Sequence, residues 1–195
     1  MKPVVTLLGD SISAGFGLRP SEALPKQLEI ALADIGVDAT VWGAGVSGDA
    51  SADGLRRIER AVHRDTAVCV VAFGGNDLMQ LIGPDRTEAN LTAIVEWLEA
   101  REIGVVLAGM RAPPWAGIYG LMFDQTFARL SRRRGLHVYP FLLEGVALTA
   151  RYNLPDRIHP NAEGVKVIAR GLAPVVAQAL ADRSVLTEAG RSRSR

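Results

Sequence analysis

Four short polar stretches hold the residues of this chain that could do covalent chemistry: "GDSIS" from Gly9, "GAGVSGD" from Gly43, "GGNDL" from Gly74 and "LPDRIHPN" from Leu154 to Asn161. Cleavage of an ester or thioester by a serine needs an alcohol, a base to take its proton, a carboxylate to orient the base, and donors aimed at the developing oxyanion. Ser11 supplies the alcohol and His159 the base, imidazole being the side chain that exchanges protons near neutrality. Asp156, three residues before His159, can hold the other ring nitrogen within one turn, and Pro160 presses His159 into an extended backbone that fixes its direction. The backbone N–H groups of Ser11 and Gly48 and the side-chain amide of Asn76 are the expected oxyanion donors, one from each of three loops. Asp10 adjoins Ser11, but neighbouring side chains diverge, so it is read as a loop-bonding group, and Asp49 and Asp77 as loop-fixing or capping groups. His63 ends a helical stripe and His137 starts a strand, which leaves His159 as the base.

These stretches can meet only if the elements between them bring them to one edge. Continuous apolar runs predict strands at Val4 to Leu8, Val37 to Trp42, Ala67 to Phe73, Ile103 to Gly109 and Leu136 to Phe141. Helical spacing falls between them. Leu28, Ala31, Leu32 and Ile35 form a stripe closed by Gly36; Leu55, Ile58, Ala61 and Val62 form a second, beginning near Ser51; Leu91, Ile94, Val95 and Leu98 form a third. A fourth helix is predicted from Leu121 to Arg134, stopping at Gly135, and a last one carries Val165, Ile168, Leu172 and Val176, kinked or divided at Pro174. Five strands each followed by a helix imply a parallel five-stranded sheet covered on both faces, a three-layer α/β domain of flavodoxin-like type, because right-handed crossovers place the helices there. In such sheets the carboxyl edge is where ligands sit.

Length and composition are those of an ordinary soluble domain. The 195 residues are 48% hydrophobic and 22% charged, enough for one core without disulfide or metal support. One domain over 1–182 and a flexible tail over 183–195 are expected. Three positive charges of the tail, Arg191, Arg193 and Arg195, exceed the net charge of +1, so the body is slightly acidic and offers no nucleic-acid surface. The lone Cys69, inside "AVCVVAF", is read as a buried, inert thiol. No run approaches the ~20 apolar residues of a membrane span, and Met1 leads straight into the first strand without a basic-then-apolar signal. A soluble protein is expected. Neither its compartment nor its oligomeric state is fixed by the sequence.

One rival motif competes for the second loop. "GAGVSG", Gly43 to Gly48, is a literal G-x-G-x-x-G between a strand and a helix, the dinucleotide fingerprint. It follows the second strand rather than the first, and the next strand ends in Gly74 and Gly75 instead of an acidic ribose partner, so nucleotide binding is the remote reading. Apolar residues near the proposed site in chain order, Leu78, Met79, Pro113, Trp115, Ile118 and Tyr119, are candidates for an acyl or aryl pocket.

The four blocks, "GDSIS" with Ser11, "VSGDAS" with Gly48, "GGND" with Asn76 and "DRIHPN" with Asp156 and His159, resemble those of the SGNH (GDSL-type) hydrolases, in the family's order and over most of the chain. Within that family the sequence is most similar to the bacterial thioesterase I, lysophospholipase and arylesterase branch. The resemblance implies the same residue roles, a small enzyme without metal or cofactor, and a small-molecule acyl ester or thioester as substrate. A carbohydrate O-acetylesterase would share the machinery and is favoured by a polar and aromatic site; an apolar trough favours short to medium acyl chains. A catalytically silent binding module is the third reading.

Overall fold

Apolar runs without polar alternation make strands that need cover on both faces, and five form: β1 (Val4–Gly9), β2 (Thr40–Gly45), β3 (Thr66–Ala72), β4 (Gly104–Ala108) and β5 (His137–Tyr139). This computed structural model of the protein describes residues 2–193, with side chains through 184. Every strand pair is parallel, in the order β2-β1-β3-β4-β5. Helices α1 (Ser11–Ala14), α2 (Leu24–Asp34), α3 (Ser51–Ala61), α4 (Gly75–Met79), α5 (Pro84–Glu99), α6 (Gly117–Arg134) and α7 (Ala162–Arg193) connect and cover them.

Alternation along the strands divides the interior in two. Val5, Leu7, Val68 and Val70 pack with α2 and α7 on one face, while Leu8, Cys69 and Val71 pack with α3, α5 and α6 on the other. The Cys69 thiol is fully buried there, and burial pushes it up to about 12. The chain order reverses direction across β1 and β3, so the loops leaving those two strands part from each other and open a crevice at the carboxyl edge. Ser11 follows β1 and Asn76 follows β3.

Two expectations are corrected. The second strand lies three residues later than Val37 to Trp42, because the Val37 N–H donates to Leu32 O at 2.9 Å and so still closes α2; Ile35, assigned to the buried stripe, caps that helix and is 49% exposed. Pro174 does not divide the last helix, which is continuous from Ala162 to Arg193. The missing hydrogen bond and ring clash cost about 3 kcal/mol. Val165, Ile168, Leu172 and Val176, all buried, contribute about 1.5–3 kcal/mol each, so packing wins.

The Ala162–Ser184 stretch of α7 is also long and apolar enough to cross a membrane by composition, but half of it is buried against the sheet and α2, as a core helix requires. The segment 183–195 continues this helix as far as Arg193, and its last two residues lie outside the described ones.

Candidate active site

Ser11 stands at the first position of α1, the short helix that β1 delivers at its carboxyl end. Asp10 caps that helix: its Oδ1 accepts from Ile12 N at 3.1 Å. His159 reaches Ser11 from 148 residues away, its Nε2 3.0 Å from Ser11 Oγ, while its Nδ1 is 2.7 Å from Asp156 Oδ2. The loop between them is closed on itself. Leu154 N donates to His159 O at 2.8 Å, and Asp156 Oδ1 accepts from the backbone N–H groups of Ile158 at 2.9 Å and His159 at 3.0 Å. Pro160 bridges Asn153, and Asn161 Oδ1 caps α7 by accepting from Glu163 N and Gly164 N. The extended backbone imposed before a proline thus ends in a helix start that anchors the loop.

The electrostatics of the two carboxylates differ. The His159 N–H, the His159 ring and the Ile158 N–H hold the Asp156 carboxyl down at about 2, so it is ionised wherever the protein is folded near neutrality. Asp10 is nearly fully buried, and burial raises its carboxyl to about 6 against the opposing pull of the Ile12 N–H and His159. An acid whose folded value is raised contributes stability below its unfolded range, and that contribution is lost as pH rises through about 6. Asp10→Asn removes the ionisation. Relative to the unsubstituted protein its unfolding free energy is expected to gain by on the order of 3 kcal/mol between about pH 4 and pH 8, read by urea unfolding of both proteins across that range; parallel curves would refute the buried-charge cost.

Asn76, in the first turn of α4, points its amide at the same place. Its Nδ2 donates to Asp49 O at 2.9 Å and lies 3.4 Å from Asp10 Oδ2, so one N–H is engaged and the other is held only by a long contact. The N–H of Ser11 has no acceptor among the described residues, as the start of a helix leaves it. The N–H of Gly48 likewise has none. Gly48, at φ 89, adopts a backbone that favours glycine; its neighbour Asp49 is tied to Asn76, and Val46 N donates to Gly9 O at 3.1 Å, which draws the loop against β1.

The "GAGVSG" glycines have a packing use that competes with nucleotide binding. Gly43 and Gly45 lie within β2 rather than in a phosphate turn, and a Cβ at Gly45 would come within 2.2 Å of Ala14 N in α1. Asp49 pairs with Arg57 at 2.6 Å, and Asp77 accepts from Ser51 N and Thr87 Oγ1, so both fix loops. His63 packs against Trp42, and His137 lies 3.1 Å from Asp182; neither reaches Ser11.

A cavity of about 470 Å³ opens beside Ser11, Asn76 and His159. Of the expected pocket residues, Leu78, Met79, Pro113 and Trp115 line it. Ile118 and Tyr119 do not: Ile118 is 77% exposed elsewhere, and the Tyr119 hydroxyl donates to Ile82 O at 2.9 Å while its ring stacks on Phe123. The wall also contains Met110, Phe141, Leu143, Leu148 and Ile158. Those after β5 lie in turns with no periodicity to mark them. Gly48 is beside this cavity through Asp49 and not in its wall. A larger groove of about 590 Å³ between α5 and α6 holds none of the four blocks and is crossed by the Glu88–Arg129 and Glu88–Arg133 pairs.

Sequence reasoning missed Phe16, whose ring lies 4.3 Å from the His159 ring and backs it. The only signal was an aromatic five residues after Ser11, just past the end of α1. Such a contact is worth about 0.5–1.5 kcal/mol, so Phe16→Ala is expected to lower kcat by about twofold to tenfold on a p-nitrophenyl ester; an unchanged kcat would show that the hydrogen bonds alone orient the imidazole.

A hydroxyl, an imidazole and a carboxylate in series, at the carboxyl edge of a parallel sheet with apolar space alongside, are the groups a serine hydrolase requires, on a three-layer α/β scaffold. Residues 7–167 match the family model described as "GDSL-like Lipase/Acylhydrolase family", and the chain belongs to that family of ester-hydrolysing enzymes. It is 34% identical over 156 residues to "Esterase TesA" of Pseudomonas aeruginosa, covering 79% of this chain and 78% of that protein. It is 31% identical over 169 residues to "Thioesterase 1/protease 1/lysophospholipase L1" of Escherichia coli (strain K12), covering 86% and 80%. Among solved structures, "Crystal Structure of TesA" superposes with a TM-score of 0.85 at 30% identity, over 90% of this chain and 99% of that one.

Proposed function

We propose that the protein cleaves short to medium acyl esters and thioesters through an acyl-enzyme on Ser11. The His159 Nε2 takes the Oγ proton as Ser11 attacks the acyl carbonyl, and the proton on Nδ1 stays hydrogen-bonded to the Asp156 carboxylate. Negative charge gathering on the carbonyl oxygen is met by the N–H of Ser11, the N–H of Gly48 and the Asn76 amide N–H that makes only the long contact with Asp10. His159 then passes its proton to the departing oxygen or sulfur. A water molecule, deprotonated by the same nitrogen, attacks the acyl carbon and returns Ser11 and a free carboxylic acid.

The observation that carries this reading is the series Ser11 Oγ, His159 and Asp156 at 3.0 and 2.7 Å, assembled from the two ends of the chain. The apolar wall, with Leu78, Met79, Pro113 and Trp115 as acyl-chain contacts, supports a hydrocarbon chain over a sugar, and the similarity to an esterase and to a thioesterase/lysophospholipase supports both leaving-group classes. The test is a panel of p-nitrophenyl esters of increasing acyl length beside acyl-CoA and acetylated sugars, with Ser11→Ala as the blank. Hydrolysis of the esters and thioesters that disappears in the blank is expected. Turnover of acetylated sugars alone, or activity that survives in the blank, would overturn it.

A further inference from the structure

Between the acid and the base, Arg157 sits at φ 59, a left-handed backbone that a residue with a Cβ adopts only where its surroundings impose it. The loop imposes it here: Arg157 N donates to Leu154 O at 2.9 Å, and the bonds from Ile158 N and His159 N to Asp156 fix the residues that follow. Glycine would meet that demand without strain. The position instead carries an arginine that is exposed, lines the cavity and has no side-chain acceptor among the described residues. The other arginine of the wall, Arg111, faces Glu144 at 3.9 Å and the Phe141 ring; among the described residues the wall holds one carboxylate, the buried Asp10, with Asp156 next to Arg157 engaged by His159 and the loop N–H groups. Of the two arginines in the wall, Arg157 is therefore the one with no ion-pair partner among the described residues.

Which part of a substrate meets that charge follows from the chemistry. His159 must hand its proton to the departing atom, so the leaving group passes beside the loop that carries His159, and Arg157 is two residues away on that loop. We infer that Arg157 selects substrates whose leaving group bears a negative charge, an alcohol, phenol or thiol carrying a phosphate or sulfonate, over neutral leaving groups on the same acyl chain. This rests on the Ser11–His159 reading and adds the class of leaving group to it.

The test compares three substrates of matched acyl length: octanoyloxybenzenesulfonate, with a charged leaving group; p-nitrophenyl octanoate, with a neutral one; and the p-nitrophenyl half-ester of suberic acid, charged at the acyl end. In Arg157→Gln the kcat/KM ratio of the sulfonate to the neutral ester is expected to fall about fivefold, the size of a partly solvated charge contact, and Arg157→Lys should restore most of it. Arg157→Gly, better suited to the left-handed backbone than arginine, gives the same reading should the glutamine variant fold poorly. A ratio unchanged in both truncations, or a loss confined to the acyl-end charge, overturns the assignment. Activity independent of Ser11 would sink the underlying mechanism instead, and the Ser11→Ala blank separates the two failures.

Discussion

Asparagine in place of Asp156 is expected to lower kcat by about 10²-fold or more while leaving KM and thermal unfolding close to those of the unsubstituted protein. The carboxylate uses both oxygens: Oδ1 accepts two backbone N–H groups, and Oδ2 faces the His159 Nδ1 at 2.7 Å. An amide can satisfy only one side. With its oxygen toward the backbone, its NH2 faces Nδ1, which must then be the unprotonated nitrogen; the ring proton moves to Nε2, and His159 can no longer accept the proton of Ser11. With the amide reversed, the NH2 confronts two backbone donors and the loop loses its lock. The stability cost is small because Asp156 is more than a third exposed, and solvent screens its contacts. Its low carboxyl value gives the sign for pH: the stability it contributes is complete above the unfolded carboxylate range and is lost only as pH falls toward about 2. Kinetics on one p-nitrophenyl ester with a parallel melting curve check this, and a kcat within a few-fold of the original would remove Asp156 from the mechanism.

The blocks of the candidate site were legible because each joins a residue type that chemistry restricts to a place that topology restricts. A serine just past the first strand and an Asp-x-x-His-Pro before the last helix can be brought together by a parallel sheet, and the structure places Ser11 Oγ 3.0 Å from His159 and His159 2.7 Å from Asp156. Strand edges were less legible where a helix competes for the same residues: Val37 has the apolar character of a strand, yet its N–H is taken by α2. The pocket was least legible. Tyr119 and Trp115 are four residues apart with similar character, and only the three-dimensional path decides that the first spans to Ile82 O while the second faces the cavity. The wall after β5, Phe141 to Leu148, lies in irregular turns, where neither a period of two nor one of 3.6 marks the inward side.

The second large effect is expected at Asn76, where alanine should lower kcat by about 10²–10³-fold with little change in KM. Asn76 is 9% exposed and its amide is held by Asp49 O, so the amide is fixed before any substrate arrives and has only the long contact with Asp10 to give up as charge develops. Ground-state carbonyls carry little of that charge, which is why kcat and not KM should register the loss. Alanine also leaves Asp49 O without its donor, a stability cost of about 1–3 kcal/mol, so a lower melting temperature is expected as well. The two consequences separate by temperature. If misfolding caused the loss, assays well below the melting transition would recover activity; if the oxyanion loses a donor, the kcat deficit persists there undiminished. Recovery on cooling would assign Asn76 to the scaffold and leave the two backbone N–H groups as the whole of the oxyanion hole.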